Sequence, residues 1–95
     1  MNKQLNKEYK YMNEQYIIQQ LNKAHKYMED FTGNIDIIPY IADGIVQFDK
    51  IKFAVRICLF LRNHRVIDFY APLESITSYA NFLAMIKYVL EREFR

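Results

Sequence analysis

Glycine and proline are scarce in this chain, two of each in 95 residues, and there is one cysteine. So few chain-breaking residues exclude a loop-rich or low-complexity protein and predict long regular elements with short connections. A lone thiol, Cys58, cannot close an intrachain disulfide, and mid-strand among apolar neighbours it reads as inert filler. No apolar run is long. Ile57 to Leu61 and Phe82 to Ile86 are the longest, far short of the ~20 residues a membrane span needs. Residues 1–15 carry Lys3, Lys7, Glu8, Lys10 and Glu14 and no apolar core, which argues against a signal peptide. The expectation is therefore no membrane association and a cytoplasmic location, in the host cytoplasm if the gene is viral. Neither sign of charge dominates, and a net charge of +2 by itself implies no partner.

What is present suits a folded domain, with 52% hydrophobic and 25% charged residues. Ninety-five residues make one domain, 1–95, with residues 1–7 a loose lead-in. The chain is organised around IKFAVRICLFLR, Ile51 to Arg62. Its odd positions, Phe53, Val55, Ile57, Leu59 and Leu61, are all apolar. Its even positions, Lys52, Ala54, Arg56, Cys58, Phe60 and Arg62, are mixed. Period-two alternation predicts a strand with the odd face buried and the even face at least half open. Asn63-His64-Arg65 and then Val66 to Tyr70 predict a hairpin. A two-residue loop at Asn63-His64 would set Asp68 opposite Leu59 on the core face. A three-residue loop, Asn63 to Arg65, sets Leu61 opposite Ile67 and Leu59 opposite Phe69 and keeps that face apolar, so it is the predicted register. Asp68 then lies on the open face within reach of Arg56 or Arg62.

Residues 3–31 predict one long helix. Leu5, Tyr9, Met12, Tyr16, Ile17, Leu21, Ala24, Met28 and Phe31 recur at helical spacing as an apolar stripe. Thr32-Gly33-Asn34 ends it, with Gly33 suited to a left-handed stop. Ile35 to Ile41 reads as a short strand, at an edge or bulged because Pro39 lacks a donor. Ala42-Asp43-Gly44 reads as a hairpin turn, Ile45 to Phe48 as a second short strand, and Asp49-Lys50 as a turn or bulge. Pro72 closes the last strand. Leu73 to Phe94 predicts the second helix, capped by Ser75, with Glu74 at the positive end of its dipole. Ile76, Tyr79, Leu83, Ile86 and Leu90 form one stripe; Phe82, Met85 and Val89 form another beside it. An apolar face this wide means either that the helices pack on each other as well as on the sheet, or that this helix meets a second copy. The second option makes Phe82, Met85 and Val89 a homodimer interface. The fold class is α+β: a long N-terminal helix, a three- to four-stranded antiparallel sheet and a C-terminal helix, in two layers.

Window 50–65 holds Lys50, Lys52, Arg56, Arg62, Arg65 and His64, and no acid. With Phe60 and Tyr70 on the same face, Lys50, Lys52, Arg56, Arg62 and Arg65 form a candidate nucleic-acid surface, in which cations neutralise phosphates and rings stack on bases. The competing reading is a solvated sheet face. No catalytic constellation, metal site or cofactor loop is expected. His25 sits on a charged part of the first helix and His64 in a turn, neither with an acid at a useful spacing.

The order helix, antiparallel strands, helix resembles the metal-dependent nuclease core of the PD-(D/E)xK type over about half the chain. That resemblance would make Asp36 and Asp49 metal ligands and Lys52 the cation. It departs at its most specific point, because Lys50 stands where the family places an acid. Asp49 and Lys52, three apart, also fall on opposite faces of a straight strand. In size and in its Asn/Gln/Lys/Tyr-rich start, the chain resembles the small proteins of archaeal or bacterial viruses, the archaeal rod-shaped viruses among them, which implies a non-enzymatic accessory or binding role. The expected function is binding without catalysis, to nucleic acid through the basic hairpin. The alternative is a protein-interaction or homodimeric accessory role through the C-terminal helix, and a metal-dependent nuclease is the remote one.

Overall fold

Strand β2 (Ala54–Leu61) shows the alternation its residues dictate. Val55, Ile57, Leu59 and Leu61 are buried, Arg56 is exposed, and Ala54, Cys58 and Phe60 lie between. The structure is a computed structural model that describes the backbone of residues 3–32, 34 and 36–94, and within these the side chains from residue 14 onward. In it β2 is the middle of a three-stranded antiparallel sheet ordered β1-β2-β3, with β1 at Ile41–Asp49 and β3 at Val66–Ala71. Helix α1 (Lys3–Thr32) precedes the sheet; a 3-10 turn (Leu73–Ser75) and helix α2 (Tyr79–Glu93) follow it. The buried residues of both helices join the odd-numbered side chains of β2 in one core. The other sheet face stays open, giving a two-layer α+β fold. Residues 1 and 2 of the lead-in expected at 1–7, the side chains of Leu5, Tyr9 and Met12, and the stop at Gly33 lie outside those described, while residues 3–7 belong to α1.

The helices pack on each other as well as on the sheet. Tyr27 and Phe31 of α1 meet Tyr79 and Phe82 of α2 in a four-ring cluster with centroids 5.5–5.7 Å apart, Phe31 stacked on Phe82. Phe82 is 0% exposed. It is therefore corrected from interface residue to core residue, while Met85 and Val89 are half-buried against the same core. Among the described residues one polar side chain is buried with them. Gln20 donates from Nε2 to the carbonyls of Leu73 (2.6 Å) and Ile76 (2.7 Å), tying α1 to the 3-10 turn and the segment after it. These carbonyls would otherwise lose water without compensation.

Five expectations about local structure are corrected. The central strand begins at Ala54, not Ile51. Lys50 to Phe53 form the β1–β2 turn, in which Asp49 Oδ1 accepts from the backbone N–H of Ile51 (2.9 Å) and Lys52 (3.0 Å). This side-chain competition for backbone donors ends the strand, and Phe53 takes a positive φ of 52° and lies exposed. The β2–β3 loop is three residues, but Arg62 to His64. Leu61 N–H donates to the Arg65 carbonyl at 2.9 Å, His64 N–H to that of Leu61 at 3.1 Å, and His64 has φ 71°. Leu59 is thus opposite Ile67 and Ile57 opposite Phe69. Moving the pairing by two residues leaves every side chain on its face, so the apolar pattern is blind to it.

Of the strand expected at Ile35 to Ile41, Asp36 to Tyr40 are not in a strand and Ile41 begins β1, while Ile35 lies outside the described residues. Asn34 accepts from Asp36 N–H through Oδ1 (3.0 Å) and from Ile37 N–H through its carbonyl (3.1 Å), and the chain turns again at Pro39-Tyr40. Ala42-Asp43-Gly44 does not reverse the chain either. It lies within β1 as a bulge, with Ile41 opposite Leu61 and Asp43 opposite Phe60. Gly44 is required by packing: a Cβ there would stand 2.4 Å from Met28 Sδ. Finally, the cap of α2 is Ser78, whose Oγ accepts from Asn81 N–H at 3.2 Å; Ser75 donates to the Pro72 carbonyl instead.

Candidate binding site

The open sheet face carries Asp43, Ile45, Gln47 and Asp49 from β1, Ala54, Arg56, Cys58 and Phe60 from β2, and Val66, Asp68 and Tyr70 from β3, because directly paired residues share a face. Three acids therefore share the face that sequence reading made basic. The Arg56 guanidinium grips Asp68, its Nε 3.0 and 3.1 Å from the two carboxylate oxygens and its Nη2 on Oδ2. That hydrogen bond, with the charge behind it, holds the Asp68 carboxyl below the usual carboxylate range and the Arg56 guanidinium above its own. Both side chains are well exposed, so the pair is screened and stabilises the fold little.

Tyr70 donates from its hydroxyl to Asp49 Oδ2 at 3.1 Å, and Lys52 Nζ sits 4.2 Å from the Tyr70 ring centroid. The Lys52 backbone N–H, then the Tyr70 hydroxyl and Ile51 N–H, lower the Asp49 carboxyl. The Asp49 carboxylate in turn raises the Tyr70 phenol, since ionising it would set two negative charges together. Phe60 lies beside Asp43, and Lys50 projects from the β1–β2 turn.

Arg62 and Arg65 are at the other end of β2, about 25 Å away for eight residues of strand. Arg62 Nε donates to the Pro39 carbonyl at 2.9 Å, and Arg65 pairs with Glu93 while its guanidinium carbon lies 5.6 Å from the Phe94 ring centroid. The seven residues of the expected nucleic-acid surface are thus split between two ends of the sheet. Asp36 and Asp49, offered as metal ligands by the nuclease resemblance, lie before and at the far end of β1, and Asp49 is committed to its turn and to Tyr70.

The best-formed concavity was missed by sequence reading. It is a cleft of about 680 Å³ between the Ile37–Tyr40 turns and the C-terminal end of α2. Lys87, Leu90, Glu91 and Phe94 line its helical wall at i, i+3, i+4 and i+7, one face of the helix. Ile37, Ile38, Pro39 and Tyr40 line the other wall. Tyr40 and Phe94, 59% and 45% exposed, meet at 5.6 Å at its mouth. A smaller concavity, walled by Leu61, Arg62 and Asn63, adjoins the same pair. Lys87 forms no ion pair with a described acid. The signal in the sequence was Pro39-Tyr40 outside any strand, and it was masked by assigning Ile35 to Ile41 to the sheet.

Fold and site together define an α+β domain of helix, three-stranded meander and helix, with one apolar surface cleft and one open sheet face. No family model matches the chain, and no curated protein or solved structure does. No helix among the described residues is long and apolar enough to cross a membrane.

Proposed function

We propose that the protein is a non-enzymatic binding module that captures a short segment of a protein partner in the cleft between Ile37–Tyr40 and α2. The observation that carries this reading is the cleft itself. Its size is that of a small-ligand or side-chain pocket, its lining is mainly apolar, and Lys87, a cation with no ion pair to a described acid, lines it one turn from Glu91. An apolar side chain of the partner seats between Ile37 and Leu90, and a neighbouring acid meets Lys87. Tyr40 and Phe94 supply the exposed aromatic area that recognition surfaces favour. Selection of displayed random peptides on immobilised protein tests it. Peptides pairing an apolar residue with an acid are expected to be enriched on wild type and lost on Tyr40→Ala/Lys87→Glu, whose changes fall on exposed side chains. Equal recovery on both proteins would refute the reading.

One observation favours a second reading. Arg62 and Arg65 stand beside the exposed Tyr40 and Phe94 rings at the hairpin end, a combination of cation and stacking platform that suits single-stranded nucleic acid. Gel retardation at low salt, lost in Arg62→Glu/Arg65→Glu, is the expected result, and no retardation by wild type would dismiss it.

A further inference from the structure

Strand β3 is an edge of the sheet, and its phase is known. Leu61 and Arg65 form a hydrogen-bonded pair, so Leu59/Ile67, Ile57/Phe69 and Val55/Ala71 do as well, two residues apart along the ladder. Val66, Asp68 and Tyr70 therefore turn their backbone N–H and C=O groups away from β2. No backbone hydrogen bond from outside the sheet reaches them among the described residues. Of the devices that blunt an edge, β3 has no proline, lysine or bulge, and its one charged residue, Asp68, is held by Arg56 of the neighbouring strand. The opposite edge, β1, has its bulge at Ala42 followed by Gly44.

We infer that two copies of the chain join β3 to β3, antiparallel, about a two-fold axis through Phe69, making a six-stranded sheet with the helices of both copies on one side. Centring on Val66 or Ile67 would run the ladder into the hairpin turn, with Asp68 or Tyr70 opposite His64, and three further constraints select this register. Setting an even residue opposite an odd one would match outward-facing groups with inward-facing ones and form no ladder. Centring on Asp68 would oppose two carboxylates. Centring on Tyr70 would bring Pro72, which lacks an N–H, opposite Asp68 and leave one complete pair, Tyr70 with its copy; centring on Phe69 moves Pro72 out to Val66 at the end of the ladder and leaves two.

Centring on Phe69 pairs Asp68 with Tyr70 of the second copy, twice by symmetry, so that the free groups of both residues are used. It stacks Phe69 beside its own copy and sets Ile67 against Ala71. Charge fits too. Asp68 comes to the ring over which Lys52 of the second copy sits. This is independent of the cleft, which lies at the end of α2. The ladder is short and the interface at the small end for specific association, so the dimer forms with rising concentration.

The register has a distinctive signature. Phe69 would face its copy in a non-hydrogen-bonded pair, with Cα atoms about 4.5 Å apart, within disulfide reach. In a Cys58→Ser background, Phe69→Cys is expected to form a disulfide dimer about ten-fold faster under mild oxidation than Ile67→Cys, which would face Ala71. A rate no faster overturns the register. Should Phe69→Cys not fold, wild type decides through amide exchange. The amides of Asp68 and Tyr70 are expected to slow several-fold from low-micromolar to millimolar protein while those on the β1 edge do not change. Exchange at Asp68 and Tyr70 that is independent of concentration overturns the inference.

Discussion

Gly44→Ala is the sharpest test of how α1 sits on the sheet. Gly44 has no positive φ, so alanine fits its backbone, and the smaller freedom of the unfolded chain should by itself stabilise by about 0.4–1 kcal/mol. The new Cβ, however, would lie 2.4 Å from Met28 Sδ, 2.9 Å from its Cγ and 3.3 Å from its Cε. Met28 is a flexible side chain but is 3% exposed in a packed core, so it yields only by displacing neighbours. Overpacking of this kind costs about 1–3 kcal/mol, and methionine's adaptability puts the cost here toward the lower end. The net expectation is a loss of about 1 kcal/mol in urea unfolding. The decisive measurement is the same change in a Met28→Ala background. There the obstruction is gone and the sign should reverse, with Gly44→Ala gaining about 0.5 kcal/mol. Destabilisation of equal size in both backgrounds would show that the close approach of Met28 to Gly44 is not why glycine is needed.

Three further outcomes follow from the described contacts. Gln20→Met keeps the volume but leaves the Leu73 and Ile76 carbonyls without their donor, and denaturant titration should show a loss of about 1–3 kcal/mol. Ser78→Ala should cost about 1 kcal/mol, while Ser75→Ala, which removes only a local bond to the Pro72 carbonyl, should cost clearly less; equal losses would contradict the observed helix start. The folded-state carboxyls of Asp68 and Asp49 lie below the ordinary value of 3.8. Their contribution is therefore complete above that value and is lost as the pH falls through the folded values. Asp68→Asn should flatten part of the acid limb of the stability–pH curve, and a carboxyl titration by NMR with a midpoint for Asp68 at or above 3.8 would contradict the Arg56 pairing.

The two-layer order and the buried face of β2 were legible because period-two and helical spacing report burial directly. Val55 to Leu61 and the stripe from Leu21 to Phe31 could be read in that way. Turn chemistry was less legible. Asp43-Gly44 has the residues of a hairpin turn, yet the glycine answers to Met28 on another element, a contact with no local signature. Asp49 ended the strand through its own carboxylate, and Ser78 rather than Ser75 capped α2; each choice depended on which backbone donors tertiary packing left free. Gln20 looked like any surface glutamine because its partners are 53 and 56 residues away. The charge reading of the open face went astray for a related reason. Asp68 was expected on that face and is there, paired with Arg56, but an acid-free window in the chain says nothing about Asp43 and Asp49, which the sheet brings beside it from β1. The cleft was invisible because its two walls, Ile37–Tyr40 and Lys87–Phe94, lie far apart in the sequence.

The Gln20 clamp and the four-ring cluster also set an order of events during synthesis. The meander is built from adjacent strands joined by four- and three-residue turns, so it can pair hairpin by hairpin as it leaves the ribosome. The partners of Gln20, Tyr27 and Phe31 are translated after the whole sheet. Until Leu73 to Phe82 emerge, the greasy side of the nascent sheet has α1 alone to shield it, and that interval is when the chain is most open to aggregation and to chaperone capture.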